Sequence, residues 1–301
     1  MRILPIIALT ILLGAPSLRS DQTQDANWSQ CRTRDPEQII KGCSAVLQSG
    51  ETTSEAETAE AFRRRGWAYG HKRDYDLAIR DYDQALQHDP NSVATFYGRG
   101  GVYFFKGDYG RAIEDYNQTL RIDPDHTDAY IMRGLAFVGR QQYELALPDF
   151  NHALTLNPNS PEAFYNRGFT YEKIGNYGGA ISDFTESLRL NPRDADSFVG
   201  RGWSYSQLGY YDLAIQDYDQ ALRIDPRHEL GLHNRRLAHI RKGEYWLAMV
   251  DTVLALRARH GILGVAVWMA VLLVSIWILG TIVVNSWRNE HGQQESLSLK
   301  H

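Results

Sequence analysis

The sequence has only two cysteines among its 301 residues, and it has no excess of basic residues. It contains 32 Lys and Arg against 36 Asp and Glu, so its formal net charge is −4 at pH 7. Nucleic-acid binding requires clustered positive charge to neutralise phosphates, and this composition argues against such a partner. With 43% hydrophobic and 23% charged residues, the composition is that of a folded protein and not of a disordered one.

The sequence also lacks the motifs of common enzyme and cofactor sites. Its ten histidines include no HExxH pair, and no Cys/His set has the spacing of a zinc site. The glycine-containing stretch GVYFFKGDYG does not follow the GxxxxGK[ST] order of a phosphate-binding loop. We therefore predict no catalytic residues, no metal, no cofactor and no small-molecule substrate, and we expect that the protein is not an enzyme.

An apolar segment begins the chain. The stretch MRILPIIALTILLGAPS has a basic Arg2, an apolar run and small residues at Ala15 and Ser17. This order is typical of a secretory signal peptide at 1–17, with cleavage after Ser17 or, alternatively, after Ser20. The other interpretation is an uncleaved N-terminal anchor, although the apolar run is short for a membrane span.

A second apolar segment, GILGVAVWMAVLLVSIWILGTIVV, contains no charged residue. As a helix it would be ~36 Å long, enough to cross a hydrocarbon core of ~30 Å. We predict a transmembrane helix at 261–285 and a hydrophilic tail at 286–301; a buried core helix is the alternative. Together with the signal peptide, this helix predicts a single-pass protein of the cytoplasmic (inner) membrane with residues 18–260 on the periplasmic side. Arg257 and Arg259 oppose this orientation under the positive-inside rule, but large domains translocate largely regardless of charge.

The two cysteines, Cys31 and Cys43, lie twelve residues apart near the N-terminus. An even number of cysteines in an exported chain predicts a disulfide, and two unrelated buried thiols are the alternative. The disulfide, the signal peptide and the span together fit a bacterial periplasm. A eukaryotic lumen stays open as a second location, since Asn27 and Asn117 begin triplets that match glycosylation sequons.

The middle of the chain repeats itself every 34 residues. The stretch RGWAYGHKRDYDLAIRDYDQALQHDP, beginning at Arg65, returns 136 residues later as RGWSYSQLGYYDLAIQDYDQALRIDP, beginning at Arg201. The prolines that follow this step are Pro90, Pro124, Pro158, Pro192 and Pro226. A constant period of this length is typical of a repeat array. Apolar residues three and four positions apart, on both sides of a Lys-Gly-Asp turn signal, predict a helix–turn–helix in each unit.

The period and the pattern of small and aromatic residues resemble the tetratricopeptide repeat family. In one unit the matching positions are Phe164, Gly168, Tyr171, Tyr177, Ala180, Phe184 and Pro192. The resemblance implies an all-α fold, a right-handed superhelical solenoid, with the transmembrane helix added at its C-terminal end. The predicted units are 59–92, 93–126, 127–160, 161–194, 195–228 and a divergent unit at 229–260. Segment 18–58 would hold the disulfide, form a half-repeat cap and provide a linker.

The resemblance also implies that the first helix of each unit lines a concave groove that binds partner peptides or proteins. The register places there Arg63, Trp67, Tyr97, Phe104, Phe105, Ile131, Leu135, Tyr165, Phe169, Val199 and Trp203. Family members that grip a terminal carboxylate use Lys and Asn, whereas the matching positions here include acids such as Asp128 and Asp196. The aromatic groove predicts an amphipathic helix or an extended apolar peptide as partner. The alternative is that several of these rings belong to the core between repeats.

One arginine recurs in every unit of the array. The positions are Arg65, Arg99, Arg133, Arg167, Arg201 and Arg235. A charge that returns in each unit predicts a structural ion pair or a solvated ladder, because six identical active sites are implausible.

The sequence therefore predicts a non-catalytic scaffold that holds a protein partner at the outer face of a membrane. One alternative is a structural subunit of a membrane complex or a protein that self-associates. The other is a receptor that signals through its tail.

Overall fold

The structure is a computed structural model that describes residues 26–50, 52 and 54–258. The predicted signal peptide at 1–17, the transmembrane helix at 261–285 and the tail at 286–301 lie outside these residues. Across the described ranges, no helix combines the length and the apolar character needed to traverse a bilayer. All regular secondary structure in the described part is α-helical, which confirms the predicted all-α class.

The chain divides after Pro158 into two compact units. Unit 1 is described from residue 26 to Pro158 and begins with a short helix at 26–31, α1. Its further helices are α2 (Pro36–Ser49), α3 (Glu55–His71), α4 (Tyr75–His88), α5 (Val93–Phe105), α6 (Tyr109–Ile122), α7 (Thr127–Gly139) and α8 (Tyr143–Leu156). Unit 2 contains α9 (Pro161–Lys173), α10 (Tyr177–Leu190), α11 (Ala195–Gln207), α12 (Tyr211–Ile224), α13 (Glu229–Arg241) and a helix at 245–258, α14.

Within each unit the helices pack as successive pairs. In unit 1, α3 packs on α4, α5 on α6 and α7 on α8; in unit 2, α9 packs on α10 and α11 on α12. The first helices of neighbouring pairs also touch, α3 with α5 and α5 with α7 in unit 1, and α9 with α11 and α11 with α13 in unit 2. A single pair cannot bury its apolar face alone, so this stacking is what stabilises it. The first helices thereby form a shared surface in each unit.

Glycine in the first helix allows the aromatic ring of the second helix to approach closely. An ideal Cβ on Gly134 would lie 2.8 Å from the Phe150 ring, and one on Gly202 would lie 2.8 Å from the Tyr218 ring. Both rings are fully buried, so a larger residue at either glycine would force the helices apart. In the divergent last pair, Arg236 replaces the glycine, and Thr252 occupies the position of the ring in the same register.

The recurring arginines form structural ion pairs, as predicted. Arg99 donates from Nε and Nη2 to the two carboxylate oxygens of Asp115, at 2.9 and 2.7 Å, and its Nη1 contacts Asp83 of the preceding pair. The equivalent pairs are Arg65–Asp81, Arg133–Asp149, Arg167–Asp183, Arg201–Asp217 and Arg235–Asp251. The aspartates are buried, so each bidentate bond compensates a carboxylate inside the helical stack.

The turns within the pairs need one residue with a left-handed backbone. Glycine fills this position at Gly107, Gly175, Gly209 and Gly243, with φ between 77° and 83°. In the same register, Arg73 and Gln141 of unit 1 adopt φ of 64° and 59°. A residue with a Cβ is strained in this conformation by roughly 1–2 kcal/mol. These two turns of unit 1 are therefore less favourable than their glycine counterparts.

Cys31 and Cys43 form the predicted disulfide, with their Cα atoms 4.6 Å apart. Both are fully buried, and they pack with Trp28, Ile39 and Val46 in a cluster that reaches the first helix pair through small residues of α3. The disulfide therefore fastens α1 to α2 at the point where both cover α3.

Candidate functional site

A cavity of about 270 Å³ opens on the first-helix surface of unit 2. Four predicted groove residues line it, namely Tyr165, Phe169, Val199 and Trp203. Tyr165 and Phe169 lie one turn apart on α9, and Val199 and Trp203 lie one turn apart on α11, so each helix turns the same face to the cavity. The next first helix, α13, contributes Leu230 and Asn234 with the same spacing. We call this cavity the unit 2 pocket.

The lining of the unit 2 pocket carries two carboxylates, Glu172 and Asp196, and one ammonium group, that of Lys173. The Tyr165 ring packs against the buried Phe184 ring, with 5.7 Å between centroids. The pKa of Tyr165 is raised to about 12, mainly by burial and in smaller part by the charges of Asp196, Asp194 and Glu172. A nearby anion disfavours the tyrosinate, which is why these three carboxylates add to the effect of burial on this pKa.

Glu172 lies on the wall of the unit 2 pocket, one turn after Phe169. Its side chain is only 11% exposed, and this burial raises the pKa of its carboxyl, while the ammonium of Lys173 acts in the opposite direction. The Nζ atom of Lys173 lies 3.5 Å from Glu172 Oε1 and 4.5 Å from the centre of the Phe169 ring. An ammonium group of the chain itself therefore already rests on an aromatic face of this pocket.

Asp196 forms the rim of the unit 2 pocket and is held by a histidine. Its Oδ1 lies 3.0 Å from Nε2 of His228, and Nδ1 of the same ring accepts a hydrogen bond from the Gly231 N–H at the start of α13. Because Nδ1 accepts, the proton of a neutral His228 lies on Nε2 and is donated to Asp196. The carboxylate of Asp196 is thus fixed in place and stays largely exposed.

Unit 1 has a pocket of opposite charge. A cavity of about 220 Å³ lies beside Trp67 and is lined by Arg63 and Arg64 of α3, with Arg34 and Ile39 from the segment that the disulfide fastens. Arg64 is paired with Glu60 at 2.7 Å, and the Trp67 ring lies over His71. We call this cavity the unit 1 pocket. Arg63 and Trp67 are thus the predicted groove residues that the structure brings together in unit 1.

The remaining predicted groove residues of unit 1 lie outside both pockets. Tyr97 packs against Tyr116 and His126, at 5.9 and 4.8 Å between ring centroids. Phe104 contacts Phe105 and Tyr109, and Ile131 is only 4% exposed. Leu135 is half-buried, whereas Phe105 is 70% exposed. Several of these side chains therefore pack between helices, as the alternative interpretation states.

Sequence reasoning missed the polar part of the unit 2 pocket. Glu172 has a detectable signal, because it is a carboxylate where the register elsewhere holds small or apolar residues. The equivalent residues are Gly70, Phe104, Val138, Ser206 and Ile240. Lys173, Leu230 and Asn234 carry no comparable signal. Among the described residues, no group of His, Cys, Asp and Glu side chains is arranged to hold a metal ion.

Family models match most of the repeat region. The model described as tetratricopeptide repeat matches 59–92, 93–126, 161–194 and 195–228, and the model described as TPR repeat matches 134–175. Together the matches cover more than half of the chain. The chain belongs to the tetratricopeptide repeat family. The helical pairs within the matched residues are therefore tetratricopeptide repeats.

Solved structures resemble this tetratricopeptide repeat protein over much of its length. YrrB, described as a TPR protein with an unusual peptide-binding site, is 28% identical over 64% of this chain and 96% of its own, with a TM-score of 0.53. MamA is 27% identical over 57% of this chain and 93% of its own, also with a TM-score of 0.53. PilF of Pseudomonas aeruginosa shares the fold, with 21% identity, coverage of 72% and 98%, and a TM-score of 0.59. No curated protein sequence matches the chain.

Proposed function

We propose that this tetratricopeptide repeat protein is a non-catalytic scaffold that binds a segment of a partner protein in the unit 2 pocket. The observation that carries the proposal is the convergence of Tyr165, Phe169 and Trp203, from two adjacent first helices, on one open cavity. Aromatic rings in such a position bury a large area with few rotatable bonds, which is the property of binding hot spots. The similarity to YrrB, a protein described by its peptide-binding site, supports the same function.

We place this scaffold at the outer face of a cytoplasmic membrane, with the repeats on the periplasmic side. The predicted signal peptide at 1–17 and the predicted helix at 261–285 are the basis of this part of the proposal. The Cys31–Cys43 disulfide supports it, since such bonds persist in oxidising compartments. A reporter that is active only in the cytoplasm, fused after Lys300, should be active. An exported reporter would contradict the orientation.

A peptide-display selection on the full chain tests the proposed binding. The best selected peptide is titrated by calorimetry against the wild type and against Phe169→Ala and Trp203→Ala. Each truncation should weaken binding at least about tenfold, the scale of a hot-spot residue. Phe105→Ala is the matched control, because Phe105 is an exposed aromatic residue of unit 1 outside the pocket. The proposal would be wrong if no peptide were selected, or if the wild type, Phe169→Ala and Trp203→Ala bound the selected peptide with equal affinity.

Self-association is a second candidate function, and the last described helix favours it. On α14, Tyr245 and Trp246 are each 70% exposed, and Leu247, Val250 and Leu254 also reach solvent. Exposed apolar residues in such a group are typical of a protein or membrane contact. Sedimentation of the detergent-solubilised full chain should show a concentration-dependent dimer that Trp246→Ser weakens. A monomer at all concentrations would contradict this candidate.

A further inference from the structure

We infer that the unit 2 pocket selects a positively charged side chain, the lysine or arginine of a partner segment, with the Glu172 carboxylate as its counter-ion. The inference rests on the proposed function, since it specifies what the same pocket binds. It is drawn from the register of the repeats, the burial of Glu172 and the aromatic walls.

The repeat fold does not require a carboxylate at the position of Glu172. The same register position holds Gly70, Phe104 and Val138 in unit 1, and Ser206 in the next pair of unit 2. Helix pairs with these residues pack in the same way, since each first helix contacts its second helix. The carboxylate of Glu172 is therefore a feature of the α9–α10 pair alone among these pairs, and the repeat pattern does not account for it. It lies where the first helices of unit 2 line a cavity.

Among the residues that the structure describes, Lys173 is the cation that acts on Glu172, and it is a weak counter-ion. Burial of a carboxylate is costly unless a cation and hydrogen bonds compensate it. Lys173 follows Glu172 directly, and adjacent residues on a helix do not face each other. Its Nζ reaches Oε1 only at 3.5 Å, and the lysine side chain remains 38% exposed, so this ion pair is weak. A cation that enters from the open side of the pocket would compensate Glu172 better.

The walls of the unit 2 pocket suit a cation as well as an apolar stem. The Lys173 ammonium lies 4.5 Å from the centre of the Phe169 ring, which shows that this face accepts a positive charge. Trp203 and Tyr165 offer two further rings on the same cavity. A lysine or arginine side chain combines methylene groups that pack on such rings with a charged end that reaches a carboxylate. In this arrangement the partner's cation takes the place of Lys173.

The charges that face the unit 2 pocket favour a basic partner over an acidic or apolar one. Glu172 and Asp196 are negative, Lys173 is the one facing cation among the residues that line the pocket, and His228 stays bound to Asp196. An acidic segment would be repelled by both carboxylates. An apolar segment would cover Glu172 without supplying a counter-ion, which leaves a buried charge uncompensated. Charge complementarity therefore commits the pocket to a basic side chain.

The test uses the full chain and random decapeptides displayed with all positions varied. Selected peptides should be enriched in Lys or Arg at one position. The best of them is resynthesised with norleucine in place of that residue, which keeps the carbon stem and removes the charge. We expect norleucine to weaken binding at least about tenfold, since the buried carboxylate would lose its counter-ion. The Glu172→Gln variant should bind the basic peptide more weakly than the wild type by a similar factor. Its affinity for the norleucine peptide should be nearly the same as that of the wild type. Lys173→Ala should bind the basic peptide at least as tightly as the wild type.

A matched control distinguishes the pocket from general surface charge. Glu186→Gln makes the same substitution in unit 2, at a residue of α10 that pairs with Arg189 at 2.8 Å and does not line the pocket. The affinity of the Glu186→Gln variant for the basic peptide should equal that of the wild type. Melting curves of all variants, followed by circular dichroism, establish that each is folded before its affinity is compared.

The possible failures of the inference and of the proposed function are different. If the selected peptides depend on Trp203 but tolerate norleucine and Glu172→Gln, the inference is overturned and the proposed function stands. A Lys173→Ala variant that loses as much affinity as Glu172→Gln also overturns the inference, because the chain's own ammonium would then be part of the site. If no peptide binds, or binding is insensitive to Trp203→Ala, the proposed function fails and the inference fails with it.

Discussion

Units 1 and 2 use the same helical pairs, but the charged residues that line their pockets are arginines in unit 1 and mainly carboxylates in unit 2. Arg63 and Trp67 in the unit 1 pocket occupy the register positions that Tyr165 and Phe169 occupy in the unit 2 pocket. The positions that pack one helix on the next keep their residue types, whereas the positions on the shared surface do not. The residues that repeat in every unit therefore specify the helical scaffold, whereas the residues that differ between units determine what each pocket can bind.

The ion pairs that both units share should give the largest effect when they are broken. Asp149→Ala in unit 1 or Asp183→Ala in unit 2 leaves its arginine without the bidentate partner. We expect each change to lower the free energy of unfolding by about 3 kcal/mol. Urea unfolding followed by circular dichroism measures this. Asp83→Ala is the control, since the carboxylate of Asp83 is half-exposed and its loss should cost at most about 1 kcal/mol. Losses no larger than the control's would contradict a structural role for the ladder.

The disulfide should affect unit 1 and leave unit 2 unchanged. Replacement of Cys31 and Cys43 by serine removes a short loop closure, worth roughly 2–3 kcal/mol. It also releases the segment that lines the unit 1 pocket through Arg34 and Ile39. Thermal unfolding of the double variant should show a destabilised unit 1. Peptide affinity at the unit 2 pocket should equal that of the wild type, and loss of that affinity would show that the two pockets are not independent.

The fold could be predicted further from the sequence than the candidate site. The 34-residue step of glycine and aromatic residues, such as Gly134 and Phe150, records a close contact that every pair repeats, so it is visible in one sequence. The depth of a surface position depends on side chains from neighbouring helices. Register alone therefore places Ile131 and Tyr165 in one class, although one is buried in the core and the other lines a pocket.

Glu172 should make unit 2 less stable at neutral pH than it would be without this carboxylate. Burial raises the pKa of its carboxyl in the folded state above the unfolded value. Such a group has no destabilising effect below the unfolded pKa, and it lowers stability as pH rises through the folded pKa. At pH 8 the Glu172→Gln variant should therefore melt at a higher temperature than the wild type. Its free energy of unfolding should be higher by up to about 1 kcal/mol. At pH 4 the two melting temperatures should coincide; a less stable variant at pH 8 would contradict the argument.

The turns offer the smallest effect that distinguishes the units. Unit 1 places Gln141 in the left-handed conformation that Gly175, Gly209 and Gly243 adopt in unit 2. Glycine relieves the steric strain of the side chain, but its greater freedom in the unfolded chain offsets part of this gain. We expect Gln141→Gly to raise the free energy of unfolding by about 0.5 kcal/mol, and the converse Gly209→Gln to lower it by about 1 kcal/mol. Paired urea titrations measure both changes. If Gln141→Gly destabilises unit 1, the side chain of Gln141 stabilises its turn by more than the left-handed backbone costs. The difference between the turns of the two units would then not be a difference in backbone strain.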